Sequence, residues 1–403
     1  MADLDLMRQL HESSDSKIVL LILDGLGGLS VGPGGPTELE AAQTPNMDRL
    51  AREGALGQSI PVRRGITPGS GPGHLGLFGY DPLAFPVGRG VIEAAGIGID
   101  VKTGDVAARG NFCTVDDDGR ISDRRAGRIS SEEAAPLVDK LRGIELSAVE
   151  TEVEVLRDYR FSLVLRGEGL SPNISETDPL EVGKEPLPAV ALDGDSKRAA
   201  NLVNQWVTAA RQRLSDQPTA NALTLRGFSS NPNLPQFSDI YGLNPACIAA
   251  YPMYRGVARL VGMRVGSLQG ETPEDEFNLA ADLWPDHDFL FIHIKKTDSL
   301  GEDGSFDKKV AYIEHVDRAL SSLVNLKPDV LAITGDHSTP SRMRYHSWHP
   351  VPFLLSAPAT IREDEQTAFG ERQCRHGGLG TFLSAEAMPI LMAHARRLQK
   401  FGA

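Results

Sequence analysis

Short apolar runs, each bounded by glycine or polar residues, recur near both ends of the chain. The clearest cover residues 17–23, 288–294, 329–334 and 351–356. Apolar runs of about four to eight residues with such borders are typical of strands buried on both faces, as in a parallel sheet. Helices are predicted between them, including one over 307–324. The pattern therefore predicts an α/β fold in which a mostly parallel sheet is flanked by helices.

The middle of the chain has a different pattern, with shorter segments in which apolar and polar residues alternate. RGNFCTVDDDGRISD predicts a hairpin with its turn at DDDG, and alternation over 148–156 and 160–166 predicts two further strands. These local pairings indicate a mixed α+β unit. We therefore expect a discontinuous core, residues 1–105 and 246–403, interrupted by an inserted smaller domain over 106–245.

Composition argues against several classes of partner. The net charge is −13 and no basic run is longer than a few residues, which disfavours nucleic acid and anionic membranes. The apolar runs are far shorter than the ~20 residues of a membrane-spanning helix, and the N-terminus is polar and acidic, unlike a signal peptide. Three cysteines without a CxxC pair fit a reducing compartment. We expect a cytoplasmic protein.

Acidic and imidazole side chains follow the predicted strands. Asp24 ends the first apolar run, Asp298 follows FLFIHIKKT, and Asp336 with His337 follows VLAITG. In open α/β sheets ligands bind beyond the carboxyl ends of the strands, so these side chains are expected to converge. Such a set suits Mn²⁺ or Zn²⁺ and a two-metal centre for phosphoryl transfer. Taken singly, an Asp placed like Asp24, between an apolar strand and a glycine, is often only a turn former or helix cap. A buried Asp–His pair is likewise often structural.

The other histidines are weaker candidates. His346 and His349 are three residues apart, but Pro350 disfavours a helix there, so the two are not both expected to face one metal ion. His293 falls inside a predicted strand and is expected in the core or behind a ligand. Two others, in a polar loop and a terminal helix, are expected at the surface: His287 and His394.

Ser70 lies in the glycine-rich loop TPGSGPGHLG, ahead of a predicted helix. A free serine hydroxyl is a poor nucleophile and needs a base or a metal ion to stabilise its alkoxide. The loop does not have the GxSxG form of a hydrolase nucleophile elbow. Its glycines would let backbone amides approach a phosphate, and the helix that follows would add its positive end. The alternative is an ordinary Gly/Pro loop.

The motifs together resemble a known family. Their order is LILDG, PGSxxxHL with FGYDP, GRGxxEAxGxGI, RGNF, DRRAGRI, RGxxLS, HIKxxD, TGDHxTP and HSxxPVP. This order resembles that of the cofactor-independent phosphoglycerate mutases, and most closely their short, archaeal-type branch within the alkaline-phosphatase superfamily. The resemblance runs from about residue 17 to residue 400. It implies an alkaline-phosphatase-like core with an inserted α+β domain.

The resemblance also implies a set of metal ligands. Ser70 would be the nucleophile that becomes phosphoserine. One divalent ion would be held by Asp24, Ser70, Asp336 and His337. The second ion would be held by Asp298, His346 and a further ligand four residues after Asp298.

That further ligand is where the chain departs from the family. The family usually has DxxGHDG, whereas this chain reads DSLGEDG and offers Glu302. A carboxylate would harden the site and favour Mn²⁺ or Mg²⁺ over Zn²⁺, although Zn²⁺ stays possible. Glu302 is equally compatible with a surface loop, in which case Asp303 or water would fill the position.

Substrate-binding residues are implied in the same way. His74 is retained and would help to hold substrate, but SGPGH replaces the usual SDTAH, so an acidic neighbour of Ser70 is missing. In the inserted unit the resemblance favours Asp123, Arg125 and Arg166 as substrate-binding residues. The two arginines suit this role because a guanidinium matches carboxylate and phosphate. The alternative is that DRRAGR is a solvated basic turn. The remaining candidates are Arg124, Arg128 and, in HIKxxD, Lys295.

The implied reaction is the interconversion of 3-phosphoglycerate and 2-phosphoglycerate in glycolysis and gluconeogenesis, without a bisphosphoglycerate cofactor. A lid that excludes water would separate this mutase from a hydrolase, and the inserted unit is the expected lid. Two alternatives use the same frame: a related phosphotransferase of the homoserine kinase type, and a metal-dependent phosphatase or phosphonate hydrolase. The sequence has no Walker-type nucleotide loop. The oligomeric state stays open.

Overall fold

The structure, a computed structural model, describes residues 3–147 and 149–402. The strands, numbered in chain order, are β1 (Ile18–Leu23), β2 (Ala55–Ile60), β3 (Val106–Val115), β4 (Ile121–Asp123), β5 (Glu150–Arg157), β6 (Arg160–Arg166), β7 (Ala222–Ser229), β8 (Pro245–Ala249), β9 (Arg264–Val265), β10 (Phe289–Ile294), β11 (Val330–Thr334), β12 (Val351–Ser356) and β13 (Gly380–Leu383).

The helices are α1 (Leu4–Leu10), α2 (Glu38–Ala41), α3 (Pro45–Arg52), α4 (Ser70–Leu77), α5 (Arg89–Gly96), α6 (Ser131–Arg142), α7 (Lys197–Leu214), α8 (Phe237–Tyr241), α9 (Pro252–Leu260), α10 (Pro273–Leu283), α11 (Lys296–Glu302), α12 (Phe306–Val324), α13 (Glu371–His376) and α14 (Ala387–His394). Short 3₁₀ turns cover Ala126–Arg128 and Ser384–Glu386. Within the described residues, no helix is long and apolar enough to cross a bilayer.

The larger of two compact units contains an eight-stranded sheet and comprises the described residues up to Pro86 and from Leu234 onward. The strand order is β13-β2-β12-β11-β1-β10-β8-β9. All neighbours are parallel except at β12, which is antiparallel to both β11 and β2. Every residue of β1, β10 and β11 is buried, which explains why these strands are continuous apolar runs. The predicted mostly parallel sheet is confirmed.

The smaller unit, Val87–Asn233, contains a five-stranded antiparallel sheet in the order β4-β3-β6-β5, with β7 also paired to β3. Helices α6 and α7 pack against it, and its mostly aliphatic core contains a row of aromatic rings. The rings of Phe112 and Phe161 are 4.8 Å apart, and those of Phe161 and Trp206 are 6.1 Å apart. The sequence predicted a mixed α+β unit here, and the structure contains one. Residue 148, in one of the predicted strands, lies outside the described residues.

The division between the units falls earlier along the chain than the predicted limits of 106 and 245. Helix α5 packs on β3 and β7, so it belongs to the smaller unit although its glycine-rich sequence resembles the core motifs. At the other limit, α8 belongs to the larger unit. Its Phe237 amide donates to the carbonyl of Val261, and its Tyr241 hydroxyl donates to that of Phe78.

Candidate active site

Three adjacent parallel strands deliver the predicted acidic residues to one edge of the larger sheet. Leu23 of β1 is level with Ile294 of β10, and Ile22 is level with Thr334 of β11. The next residues are therefore neighbours: Asp24 after β1, Asp298 in the first turn of α11, and Asp336 with His337 after β11. The predicted convergence at the carboxyl ends of the strands is what the structure shows.

Ser70 is the first residue of α4, and its hydroxyl oxygen lies 3.2 Å from His337 Nε2. The glycines of this loop have a specific use. A Cβ on Gly73 would lie 2.4 Å from the carbonyl oxygen of Asp336, so only glycine lets α4 approach the ligand loop this closely. The start of a helix also presents free amides and its positive end to an anion. Ser70 therefore sits where a phosphoryl group can be received.

Asp24, Asp336 and His337 form a fully buried cluster. His337 Nε2 lies 3.3 Å from Asp24 Oδ1 and 3.2 Å from Asp336 Oδ2. Neither of these two carboxylate oxygens accepts a hydrogen bond from any described residue. An unpaired buried carboxylate oxygen is costly, and a cation bound by both would remove that cost. With an imidazole nitrogen and a hydroxyl beside them, these donors fit a divalent metal ion.

The second cluster joins Asp298 and His346 to the same histidine, His337. His346 Nε2 lies 3.7 Å from Asp298 Oδ1, and its ring stacks on that of His337 at 3.6 Å between centroids. His346 Nδ1 is 3.0 Å from the carbonyl of Pro68 and donates to it, which leaves Nε2 with a free lone pair. His349 Nδ1 instead lies 3.0 Å from the Ser347 hydroxyl, and His349 belongs to neither group of neighbouring ligand atoms among the described residues.

Glu302 lies at the margin of this second cluster. Its Oε1 is 3.9 Å from His346 Nε2, and 54% of its side chain is exposed. It does not belong to the group of ligand atoms formed by Asp298, His337 and His346. Burial and the Asp298 charge raise the pKa of the Glu302 carboxyl. Its role as a ligand stays a prediction.

The electrostatics of the first cluster favour a bound cation. Burial lowers the pKa of His337 well below its usual range, so the ring is neutral and can ligate. Burial opposes ionisation of Asp24, yet the charge of Lys295 and the contact with His293 hold the pKa of that carboxyl well below its usual range. Burial and the charge on Asp24 raise the pKa of Asp336. Two carboxylates this close do not both ionise unless a cation lies between them.

Lys295 was predicted to bind substrate, and the structure places its ammonium between two carboxylates. Its Nζ lies 3.0 Å from Asp24 Oδ2 and 2.5 Å from Asp298 Oδ2. His74, the other substrate candidate nearby, is fully buried beneath Ser70. Its Nδ1 is 2.7 Å from the Ser70 carbonyl, and burial lowers the pKa of the ring to about 3. Lys295 and His74 are thus bonded to Asp24, Asp298 and Ser70, and their contact with substrate stays a prediction.

Sequence reasoning missed three residues that support the ligands. The Tyr254 hydroxyl donates to Asp24 Oδ2. Thr339 donates to Asp298 Oδ1 at 2.6 Å and therefore accepts from His337 Nδ1 at 3.0 Å, which leaves His337 Nε2 free for a cation. Buried Lys309 donates to the carbonyls of Gly25 and Thr339. A usable signal existed for Tyr254, because it follows β8, whose carboxyl end lies at the same sheet edge.

In the smaller unit, the predicted substrate residues differ in how they are bonded. Arg166 is ion-paired with both Asp105 and Glu152. Asp123 accepts hydrogen bonds from the amides of Arg125 and Gly127, at 2.8 and 2.6 Å, and so holds a turn. The Arg125 guanidinium is exposed and has no polar partner among the described residues. Two further arginines are also placed: Arg124 pairs with Asp178, and Arg128 is exposed.

Comparison with known proteins gives one consistent result. A family model described as 2,3-bisphosphoglycerate-independent phosphoglycerate mutase matches residues 51–220. A relative from Thermus thermophilus, named as a probable enzyme of that kind, is 50% identical over 401 residues and the match covers 98% of each chain. A relative of the same name from Deinococcus radiodurans is 48% identical over 407 residues, covering 99% of each chain.

Two solved structures are similar along nearly the whole chain. One, of a protein from Pyrococcus horikoshii, has a TM-score of 0.85 and 32% identity, and the match covers 96% of this chain and 99% of that one. The other is a cofactor-independent phosphoglycerate mutase from Thermoplasma acidophilum. Its TM-score is 0.72 at 31% identity, covering 94% of this chain and 100% of that one.

Proposed function

Because the chain belongs to the 2,3-bisphosphoglycerate-independent phosphoglycerate mutase family, we propose that it interconverts 3-phosphoglycerate and 2-phosphoglycerate through a phosphoserine at Ser70. One observation carries the proposal. The Ser70 hydroxyl lies 3.2 Å from a buried imidazole that also faces two buried carboxylate oxygens without hydrogen-bond partners among the described residues. A hydroxyl in such a set is equipped to accept and return a phosphoryl group.

Two divalent metal ions are the proposed cofactors, with Mn²⁺ or Mg²⁺ favoured and Zn²⁺ possible. When bound, they would lower the pKa of the serine hydroxyl and neutralise the phosphoryl oxygens. No bisphosphoglycerate is needed, because Ser70 itself stores the phosphoryl group. The proposed ligands of the first ion are Asp24, Ser70, Asp336 and His337, and those of the second are Asp298, Glu302 and His346.

The proposed reaction has two phosphoryl-transfer steps. Ser70 Oγ forms a bond to phosphorus while the bond from phosphorus to the substrate's 3-oxygen breaks, and the serine proton ends on that oxygen. Glycerate stays bound and turns, so that its 2-hydroxyl attacks phosphoserine. A bond from the 2-oxygen to phosphorus forms as the bond from Ser70 Oγ to phosphorus breaks, and the proton of the 2-hydroxyl ends on Ser70 Oγ. His74 holds the Ser70 carbonyl at 2.7 Å, which fixes the turn that carries the nucleophile.

A mutase must also keep water away from phosphoserine while glycerate turns. The smaller unit stays the proposed lid and substrate clamp. Its exposed guanidinium at Arg125, which has no polar partner among the residues that the structure describes, is the group best suited to meet the carboxylate or phosphate of the substrate.

The cytoplasm is the proposed location. Cys113, Cys247 and Cys374 are all unpaired and buried in the structure. Unpaired thiols are the expected state in a reducing compartment.

The test is an assay of the purified protein with Mn²⁺ and 3-phosphoglycerate, coupled to enolase. We expect formation of 2-phosphoglycerate, and a loss of at least about 10³-fold in Ser70→Ala because the acceptor oxygen is gone. Ser59→Ala is the matched control, since Ser59 is fully buried and its hydroxyl has no partner among the described residues. Release of inorganic phosphate in place of 2-phosphoglycerate would identify a phosphatase, and Ser70→Ala within tenfold of wild type would exclude the phosphoserine route.

A further inference from the structure

Three polar groups converge on one oxygen of Asp24. The Tyr254 hydroxyl donates to Oδ2, the ammonium of Lys295 lies 3.0 Å from it, and His293 Nε2 lies 3.3 Å from it. The other oxygen, Oδ1, has no hydrogen-bond partner among the described residues and faces His337 Nε2 at 3.3 Å. The carboxylate is therefore asymmetric, with one oxygen held and one presented to the first metal cluster.

Tyr254 is built to hold its partner in a fixed place. It is fully buried on α9, and its ring stacks on His293 with 3.5 Å between centroids and 22° between planes. The ring of His74 lies 4.9 Å away, and the ammonium of Lys295 lies 5.6 Å from the ring centroid. A ring packed on this many sides has little rotational freedom, so the direction of its hydroxyl is set before any ligand binds.

We propose that Tyr254 is a positioning residue, whose hydroxyl holds Asp24 Oδ2 so that Oδ1 is aimed at the first metal ion. The inference rests on the proposed metal site. A neutral phenol suits this task because it donates one directed hydrogen bond without adding a positive charge beside a cation. Donors that orient a metal-binding side chain typically change metal affinity by about 10–100-fold when they are removed.

The test compares two conservative variants, Tyr254→Phe and Tyr241→Phe. Tyr241 is also fully buried in the larger unit, but its hydroxyl donates to the backbone carbonyl of Phe78 at 3.1 Å. Mn²⁺ binding is titrated by calorimetry and electron paramagnetic resonance, and the unfolding temperature is measured without metal. We expect Tyr254→Phe to weaken Mn²⁺ binding by about 10–100-fold, and Tyr241→Phe to change only the unfolding temperature.

A double-mutant cycle with Asp24→Asn shows whether Tyr254 acts through Asp24. If it does, Tyr254→Phe adds little to the loss of Mn²⁺ affinity already caused by Asp24→Asn. Additive losses, or a Tyr254→Phe protein that binds Mn²⁺ within threefold of wild type, would overturn the positioning role while leaving the proposed function intact. Wild-type protein that binds none of Mn²⁺, Mg²⁺ and Zn²⁺ would overturn both.

Discussion

Two carboxylates at the strand ends of the larger unit and two charged residues of the smaller unit are partnered in opposite ways. Asp24 and Asp336 each keep a buried oxygen that no described residue satisfies. In the smaller unit, Arg166 meets two carboxylates, and Asp123 meets two backbone amides. A folded chain rarely leaves a buried charge unpaired unless something outside the chain completes it. The unpaired oxygens of Asp24 and Asp336 are therefore the proposed metal ligands, whereas the pairs made by Arg166 and Asp123 are complete within the chain.

The largest effect that tests this comparison is expected for Asp336→Asn. Asn removes the charge that the proposed first ion needs, so we expect turnover to fall by at least about 10³-fold and Mn²⁺ occupancy to fall with it. Turnover is measured by the enolase-coupled assay and metal content by elemental analysis.

The matched control for that substitution is Asp317→Asn. Asp317 is equally buried, but its oxygens accept from the amides of Met47 at 2.8 Å and Asn46 at 3.2 Å. We expect this variant to lose about 1–2 kcal/mol of unfolding free energy and to keep its metal content. Equal metal loss in both variants would show that burial alone, and not the unpaired oxygen, explains the effect.

A smaller effect is expected in the smaller unit, where Arg125 and Arg166 are compared by substitution with Met. Arg125 has no polar partner among the described residues, so Arg125→Met should raise KM for 3-phosphoglycerate by about 10–100-fold without changing the unfolding temperature. Arg166→Met leaves buried Asp105 without its ion-pair partner, although the Lys102 amide still donates to it, and should lower the unfolding temperature with little change in KM. If Arg166→Met raises KM and Arg125→Met does not, Arg166 contacts the substrate, as the family resemblance implied.

The sequence predicted those parts of the fold and site that depend on chain direction and burial alone. The apolar runs at 17–23 and 288–294 correspond to fully buried central strands, and Asp24 and Asp298 follow from their ends. Parallel strands end at the same edge, so convergence needed no knowledge of side-chain contacts.

Contacts between distant segments were not predictable in that way. Tyr254 follows β8, so the position of strand ends could have placed it at the same sheet edge, but nothing local to either residue indicates that its hydroxyl pairs with Asp24, 230 positions away. His287 was expected at the surface because its segment is polar. In the structure the residue is 4% exposed, and its ring Nδ1 lies 3.1 Å from the Asn244 carbonyl. The division between the compact units lies at Pro86, before the predicted limit near 105, because helix α5 packs on β3 and β7, and its local sequence does not indicate those contacts.

Glu276 offers a further test, because it has an unpaired buried oxygen away from the two ligand clusters. It is 2% exposed, and Oε2 has no partner in the described part of the chain. Burial and the charges of Asp275 and Glu271 raise the pKa of this carboxyl from 4.5 to about 9. Here protonation, and not a metal ion, is expected to relieve the cost of burial.

The sign of the pH effect follows from this raised pKa. Between pH 4.5 and about 9 the folded state binds a proton that the unfolded state has released, so stability falls as pH rises through this range. Glu276→Gln should therefore be nearly neutral at the acid end and gain about 1–3 kcal/mol of unfolding free energy at the alkaline end. Denaturant unfolding at several pH values measures this difference. A gain that does not depend on pH would mean that Glu276 is not protonated in the folded protein.

The smallest effect is expected for Glu302→Gln, at the residue where the chain departs from its family. Glu302 differs from the buried ligands because more than half of its side chain is exposed and its Oε1 is 3.9 Å from His346 Nε2. A partly exposed carboxylate contributes less to metal binding, so we expect Mn²⁺ affinity to fall by about 3–10-fold, with turnover reduced in proportion. Glu302→His, which introduces the family's usual residue, should have a higher turnover than Glu302→Gln, and its metal preference should shift toward Zn²⁺. Asp307, which is exposed in the first turn of α12, provides the control, as Asp307→Asn should leave both quantities unchanged. If Glu302→Gln behaves like Asp307→Asn, Glu302 is a surface residue and the second ion depends on Asp298 and His346.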